Sequence, residues 1–312
     1  MLSEIPECKS YLSREQLDES SEILAKRHSD KARLLRIGKT KNGNDIQALK
    51  IGRGKHNALI YGFPNPEEPV GGLLLEYLSS ALVRFDELEQ LDYTWYIIKC
   101  VDPDGASLTQ DYLKGPYTPY NFSLNYYRTP DFATGELAFP YRYGNLLDAN
   151  RPTAETKALM HLIDGRSFDF LSSLHNMKFG GMTYEVSEPC PLLYVPLQAA
   201  AKENGIYLRK RAGLMFAPGV QFAKYMTPAT NYVEMKVAGK SPLQEVYGGY
   251  VLEYVRLTNP HAFMMIPECC TWYDPRCLDD NPSTSTLHEL EASTSGKMKE
   301  TNTMISRIYH KI

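Results

Sequence analysis

Apolar and polar positions alternate along this chain with two different periods. Between residues 10 and 34 the period is helical: Ser13 stands as an N-cap, and Leu17, Ile23 and Leu24 fall on one face. The next stretch, ARLLRIGKTKNGNDIQALKIG, predicts two short strands around the turn KNGND, where Asn42-Gly43 suits the positive φ of a tight hairpin. NALIYGF (57–63) is an unbroken apolar run, the mark of a strand covered on both faces. EPVGGLLLEYLSSALVRF then predicts a helix with Glu68 in its first turn.

Three more strands follow in this reading: YTWYIIKCV (93–101), FDFLSSLHN (168–176) after the helical TAETKALMHLID, and NYVEMKV (231–237). Strands that alternate with helices imply crossover connections and a mostly parallel sheet. The fold class expected is therefore α/β, a single α/β/α domain over residues 1–312 with a mixed, mostly parallel sheet. Residues 106–152, rich in aromatic residues and Pro, predict a long loop region that shapes a pocket. The polar segment 279–297 predicts a low-complexity loop before a C-terminal helix.

Composition narrows the class. A net charge of −3 with no concentration of Lys and Arg argues against a nucleic-acid partner. No run of 18 apolar residues occurs and the first residues lack a secretory pattern, so a cytoplasmic protein with no membrane partner is expected. The six cysteines form no disulfide framework, and Cys269, Cys270 and Cys277 lack the paired spacing of a zinc knuckle. Twenty-two tyrosines suit a polar cleft.

Ligands of open α/β sheets bind at the carboxyl ends of strands. Three polar features fall there in this reading: NPEE (65–68) after the first buried strand, His175-Asn176 after the third, and Glu234 within the fourth. A carboxylate, an imidazole and a second carboxylate could hold a metal ion and a general base. Each also has a simpler explanation. A helix dipole favours Glu67 and Glu68 in a first turn by about 0.3–1 kcal/mol, and a strand end often carries a satisfied histidine.

The ordered set of motifs resembles the zinc carboxypeptidase family, the carboxypeptidase A-like metallopeptidases. GFPNPEEPVG is similar to the form G-x-x-His-x-x-Glu-Pro-x-Gly of bacterial members, with Asn65 in place of the first zinc His. IGKTKNGNDIQALKIG resembles the early hairpin, CVDPDG the Asn-Pro-Asp-Gly turn, SLHN the second zinc His, and NYVEMKV the strand of the catalytic Glu. The likeness spans roughly residues 30–255.

The resemblance implies Asn65, Glu68 and His175 as metal-site residues for Zn2+, and Glu234 as general base. It implies Asn125 at the carboxylate-anchoring Asn-Arg pair. Tyr126 follows it, so the arginine arrives two positions late as Arg128. Lys114 stands for the oxyanion-side arginine and Tyr225 for the tyrosine near the base. The implied activity is zinc-dependent hydrolysis of an amide bond in a small peptide or amino-acid-derived substrate. The rivals are a degenerate binding protein of the same fold, or a repurposed site doing other amide chemistry in a biosynthetic pathway.

Overall fold

The computed structural model describes residues 5–208, 222–242 and 246–273. They belong to one compact unit that ends at Asp274. The segment 279–297, and the helix expected after it, lie outside the described residues.

Ser13 begins the fold as expected. Its hydroxyl accepts from the Gln16 amide while the Gln16 side chain accepts from the Ser13 N–H, a capping box that opens α1 (Arg14–Arg27). The hairpin β1 (Ala32–Lys39) and β2 (Asp45–Ile51) follows, with Gly43 at φ 86° in its turn. Next come β3 (His56–Tyr61), α2 (Val70–Arg84) and β4 (Tyr93–Ile98).

The segment expected as a loop carries short helices α3 (Pro103–Leu108), α4 (Gln110–Leu113) and α5 (Pro119–Leu124), and a small hairpin of β5 (Tyr141–Tyr143) and β6 (Leu147–Ala149). α6 (Ala154–Ile163) leads into β7 (Phe170–Ser173). The remaining elements are β8 (His175–Phe179), β9 (Thr183–Val186), α7 (Pro191–Glu203), β10 (Phe222–Lys224), α8 (Pro228–Val237), α9 (Val251–Val255) and β11 (Phe263–Trp272).

The main sheet runs β1-β2-β4-β3-β7-β11-β9-β10, and β8 pairs with β11 beyond the end of β7. β3 pairs in parallel with both β4 and β7, whereas the β1-β2, β2-β4 and β9-β11 pairs are antiparallel. The mixed α/β architecture expected from the pattern is thus present.

β3 shows why its sequence is apolar throughout. Leu59 and Tyr61 pack into a core with α6 and α9, while Ile60 packs on the opposite face with Leu75 and Leu82 of α2. Both faces are covered, so neither tolerates a polar position.

Two glycines set the distance between β3 and α2. A Cβ on Gly71 would stand 2.8 Å from Leu174 Cβ and 3.2 Å from Gly62 Cα, and one on Gly62 would stand 2.9 Å from the Gly71 carbonyl carbon. Helix and strand end therefore meet backbone to backbone, directly beside the residue before His175. Phe63, fully buried, holds φ 50° in the turn between them, a left-handed conformation that surrounding packing must enforce.

One element differs from its expected form. Residues 231–237 lie in α8, not in a strand. Thr227 caps this helix by accepting from the Thr230 amide, and Pro228 occupies its first turn. These start signals, with Glu234, Met235 and Lys236 as good helix formers, outweigh the β-preference of Tyr232, Val233 and Val237.

Candidate functional site

Parallel pairing brings the ends of β3 and β7 together, with Tyr61 opposite Ser173. The chain leaving β3 presents Asn65, Glu67 and Glu68, all buried, and the chain leaving β7 presents His175. Glu68 precedes α2, whose N-cap is Pro69, so it is not in the helical first turn.

Four donors converge on the Glu68 carboxylate. Asn65 Nδ2 stands 2.9 Å from Oε1; His175 Nδ1 and the Asn176 amide stand 2.9 and 3.1 Å from Oε2. Arg128 Nη1 is 3.5 Å from Oε1. The Asn176 side chain ties the arrangement to its scaffold, accepting from the Val70 amide at 3.1 Å and donating to the Cys269 carbonyl at 3.2 Å.

The second nitrogen of His175 meets a carboxylate that the motifs did not reveal. Nε2 lies 3.0 Å from Glu136 Oε1, and Glu136 Oε2 accepts from Ser173 Oγ at 2.8 Å and Tyr61 at 3.1 Å. Burial would push the Glu136 carboxyl up, but the His175 ring and these donors outweigh it and hold the group below its ordinary value. Burial would lower His175, and Glu136 and Glu68 outweigh it, holding the imidazole well above its usual value. The only sequence signal for Glu136 was a charged residue between apolar neighbours in TGELAF.

Glu67 pairs with Arg128 at 3.0 Å and accepts from Tyr126 at 3.3 Å, so its partner is a guanidinium and not a helix terminus. Arg128 is held in place through its neighbour Thr129, whose hydroxyl donates to Asp102 Oδ2 at 2.7 Å. Arg128 is therefore brought to the site, but is spent on Glu67 and Glu68.

Other expected site residues lie apart. Glu234 is exposed on α8 and does not line the cleft at His175. Lys114 is exposed and pairs with Asp111 at 3.0 Å. Asn125 turns back on its own helix, donating to Asn121. Tyr225 does reach the cleft.

That cleft, about 250 Å³, is lined by His175, Glu136, Glu185, Glu268, Tyr225 and Asn231, with Val251, Met264 and Ile266 as apolar wall. Glu268 is the residue opposite His175 in the β8-β11 register, so the two stand side by side at the sheet's end. No expectation from the sequence includes it; its neighbours Cys269 and Cys270 enter there only as candidate zinc ligands.

Tyr225 donates to Glu253 at 3.1 Å, and burial raises the Glu253 carboxyl from its ordinary 4.5 to about 7. A value raised on folding contributes stability fully present below about pH 4.5, which is lost as pH rises through 7. Glu253→Gln is expected to abolish that loss. Its melting temperature should gain on the wild type between pH 5 and pH 8 in calorimetric scans; parallel curves would refute the assignment.

A family model, zinc carboxypeptidase, matches residues 18–189, more than half of the chain. The chain belongs to the zinc carboxypeptidase family. Carboxypeptidase A from Helicoverpa armigera is similar in structure, with a TM-score of 0.52 and 14% identity over 85% of this chain and 67% of that one. A metallo-carboxypeptidase from Burkholderia cenocepacia gives 0.51 and 14%, over 84% of this chain and 61% of its own. The chain thus spans about two thirds of these carboxypeptidases, and at such identity they establish the fold. No curated protein matches it. Family and fold are those of metallocarboxypeptidase-like hydrolases, whose members normally use zinc. No helix among the described residues is long and apolar enough to cross a membrane.

Does this zinc carboxypeptidase-like site fit a metal? Among the described residues no three His, Cys, Asp or Glu side chains form a metal cluster. Asn65 is the polar neighbour that would complete a ligand set with Glu68 and His175. Its Oδ1 is buried without a hydrogen-bond partner, while Nδ2 faces both Glu68 and, at 3.4 Å, His175 Nδ1. Turned half a revolution, the amide would aim Oδ1 at the Glu68 carboxylate and at His175 Nδ1; with that nitrogen deprotonated, three acceptors would face one point, an arrangement that a cation satisfies. The residues thus fit a divalent ion through an amide oxygen, a carboxylate and an imidazole, a weaker donor set for zinc than one with a second imidazole. Glu136 would then orient the His175 ring from behind.

Proposed function

We propose that this protein is a metal-dependent hydrolase of an amide bond in a small peptide or amino-acid conjugate, with Asn65, Glu68 and His175 holding Zn2+ or a related divalent ion. The observation that carries the reading is the Asn65 amide, whose nitrogen end lies beside Glu68 and His175 and whose oxygen is buried without a partner. When bound, the ion supplies Lewis-acid polarisation of the scissile carbonyl.

The chain's own residues do the rest. Glu268, beside His175 in the cleft, takes the proton of the attacking water and delivers it to the departing amine. Thr183 donates to its carboxylate at 3.3 Å and fixes its orientation. Tyr225, whose phenol burial and Glu253 hold well above its ordinary value, stays protonated and remains a donor. Met264, Ile266 and Val251 exclude water from one wall. Arg128 neutralises Glu67, so a substrate carboxylate must find another anchor.

The rival is a ligand-binding relative without turnover. It is favoured by the Glu68–His175–Glu136 chain, in which the imidazole already engages both carboxylates with no ion present. Isothermal titration with Zn2+ and Mn2+, followed by assay on N-acyl amino acids, separates the two readings. Glu268→Gln is expected to lower kcat by roughly a hundredfold or more with metal affinity unchanged. Loss of activity in Glu234→Gln but not in Glu268→Gln would overturn the choice of base, and absence of metal binding would favour the rival.

A further inference from the structure

β11 sets two cysteines next to each other at an open edge. Cys269 and Cys270 pair with Asn176 and Met177 of β8 on one side. On the other side the pairing with β9 ends at Glu268, opposite Thr183, so among the described residues no strand borders the cysteines there. Both are half-buried and hold free thiols.

Successive side chains of a strand point to opposite faces. Cys269 departs from that pattern, its sulfur turning forward to 3.8 Å from the Cys270 carbonyl oxygen. The two thiols also share a hydrogen bond, which holds Cys270 below its ordinary 9.0, at about 7, and pushes Cys269 up. Cys270 therefore carries a substantial share of thiolate near neutral pH, the form that attacks disulfides.

The backbone at Cys269 belongs to the scaffold of Glu68. Its carbonyl accepts from the Asn176 side chain at 3.2 Å, while the Asn176 amide donates to Glu68 at 3.1 Å and Asn176 Oδ1 accepts from the Val70 amide. Glu268 is the residue immediately before it. A change of course at Cys269 thus reaches both sides of the site.

We propose that Cys269 and Cys270 form a redox-sensitive dithiol, which a low-molecular-weight disulfide such as oxidised glutathione converts to a bond between the two neighbours, freeing Asn176 from its anchor. The Cys270 thiolate attacks the small disulfide, forms a mixed disulfide and expels one thiolate. The Cys269 thiol passes its proton to that thiolate, and its sulfur then attacks the Cys270 sulfur. The second small thiolate leaves and takes up the proton that Cys270 had released. Two protein thiols are oxidised, and one small disulfide is reduced to two thiols. Neighbouring Cα atoms lie about 3.8 Å apart, short of the roughly 4.4–6.8 Å that disulfides ordinarily span, so the ring closes only if the chain leaves its extended course. The open edge beyond β9 permits that departure, and a bond under such strain is readily reduced again.

The test treats the full chain with oxidised glutathione, blocks the remaining thiols with N-ethylmaleimide and digests with trypsin. The peptide 257–276 contains Cys269 and Cys270 and no other cysteine. It is expected to lose two hydrogens and to carry neither maleimide nor glutathione, and dithiothreitol should reverse the change. Amide hydrogen exchange at Asn176–Phe179 should rise about tenfold on oxidation. Cys269→Ser is expected to stop at a glutathione adduct on Cys270 with exchange unchanged, whereas Cys8→Ser and Cys277→Ser should behave as wild type. Maleimide or glutathione left on either cysteine, a bridge to another cysteine, or unchanged exchange in the oxidised chain overturns the proposal. Only an accompanying fall in Zn2+ affinity rests on the proposed function. Oxidation with faster exchange in a protein that binds no metal would sink that function and leave the dithiol standing.

Discussion

Asn65→His is expected to tighten Zn2+ binding by about a hundredfold, which is ~2.7 kcal/mol. The amide sits 2.9 Å from Glu68 and 3.4 Å from His175, so a ring at this position starts from the right neighbourhood. An imidazole nitrogen replaces a neutral amide oxygen, and zinc prefers the former. It also removes the buried, unpartnered Oδ1. The larger side chain enters a site only 2% exposed, so the metal-free variant should lose about 1–3 kcal/mol to overpacking. Zinc should restore that loss by mass action. Titration calorimetry with a competing chelator gives the affinity, and thermal scans with and without zinc give the compensation. Unchanged affinity would mean that these residues do not face a common ion.

His175→Ala should produce the largest loss of stability. The ring stands between two buried carboxylates, Glu68 at 2.9 Å and Glu136 at 3.0 Å. Removing it strips both of their shared partner, a change that costs roughly 3–5 kcal/mol when buried ion pairs are broken. A chain of this size should then melt on the order of 10 °C lower.

The sign of the pH dependence distinguishes lost charge from a simple cavity. Glu136 is held below its ordinary 4.5, so its pairing stabilises above that pH and the benefit is lost as pH falls through the folded value. His175 is itself held above its ordinary 6.5. The gap between variant and wild type should therefore be widest between about pH 4.5 and 6.5, and narrow as pH falls below that window through the folded Glu136 value. A gap that does not change with pH would assign the loss to packing alone.

Much of the fold was legible because local signals agreed with the tertiary outcome. Ser13 with Gln16, Asn42-Gly43, and the unbroken NALIY each specify one structure, and each is found. So is the approach of NPEE to His175, since two parallel strands end side by side. What remained hidden depended on contacts distant in sequence. Glu136 owes its place to Tyr61, Ser173 and His175, none of them near it in the chain. Glu268 reaches the cleft because β8 adds to the far end of β11, a pairing no local pattern encodes. The strand expected around Glu234 failed for the opposite reason: its β-prone neighbours resembled a strand, while Thr227-Pro228, six to seven residues earlier, had already started a helix.

The backbone contact between Gly62 and Gly71 has a bearing on how this site could be re-engineered. With no side chain between strand and helix, the loop that carries Asn65 and Glu68 has nowhere to shift. The half of the site built on β3 and α2 behaves as a fixed jig. Arg128 and Tyr126 instead hang from the short α5 and its exposed successor, tethered mainly through Thr129 and Asp102. Attempts to install new specificity should therefore graft residues 126–128 and leave 62–72 untouched, because only the first segment can adopt a new course without dismantling the second.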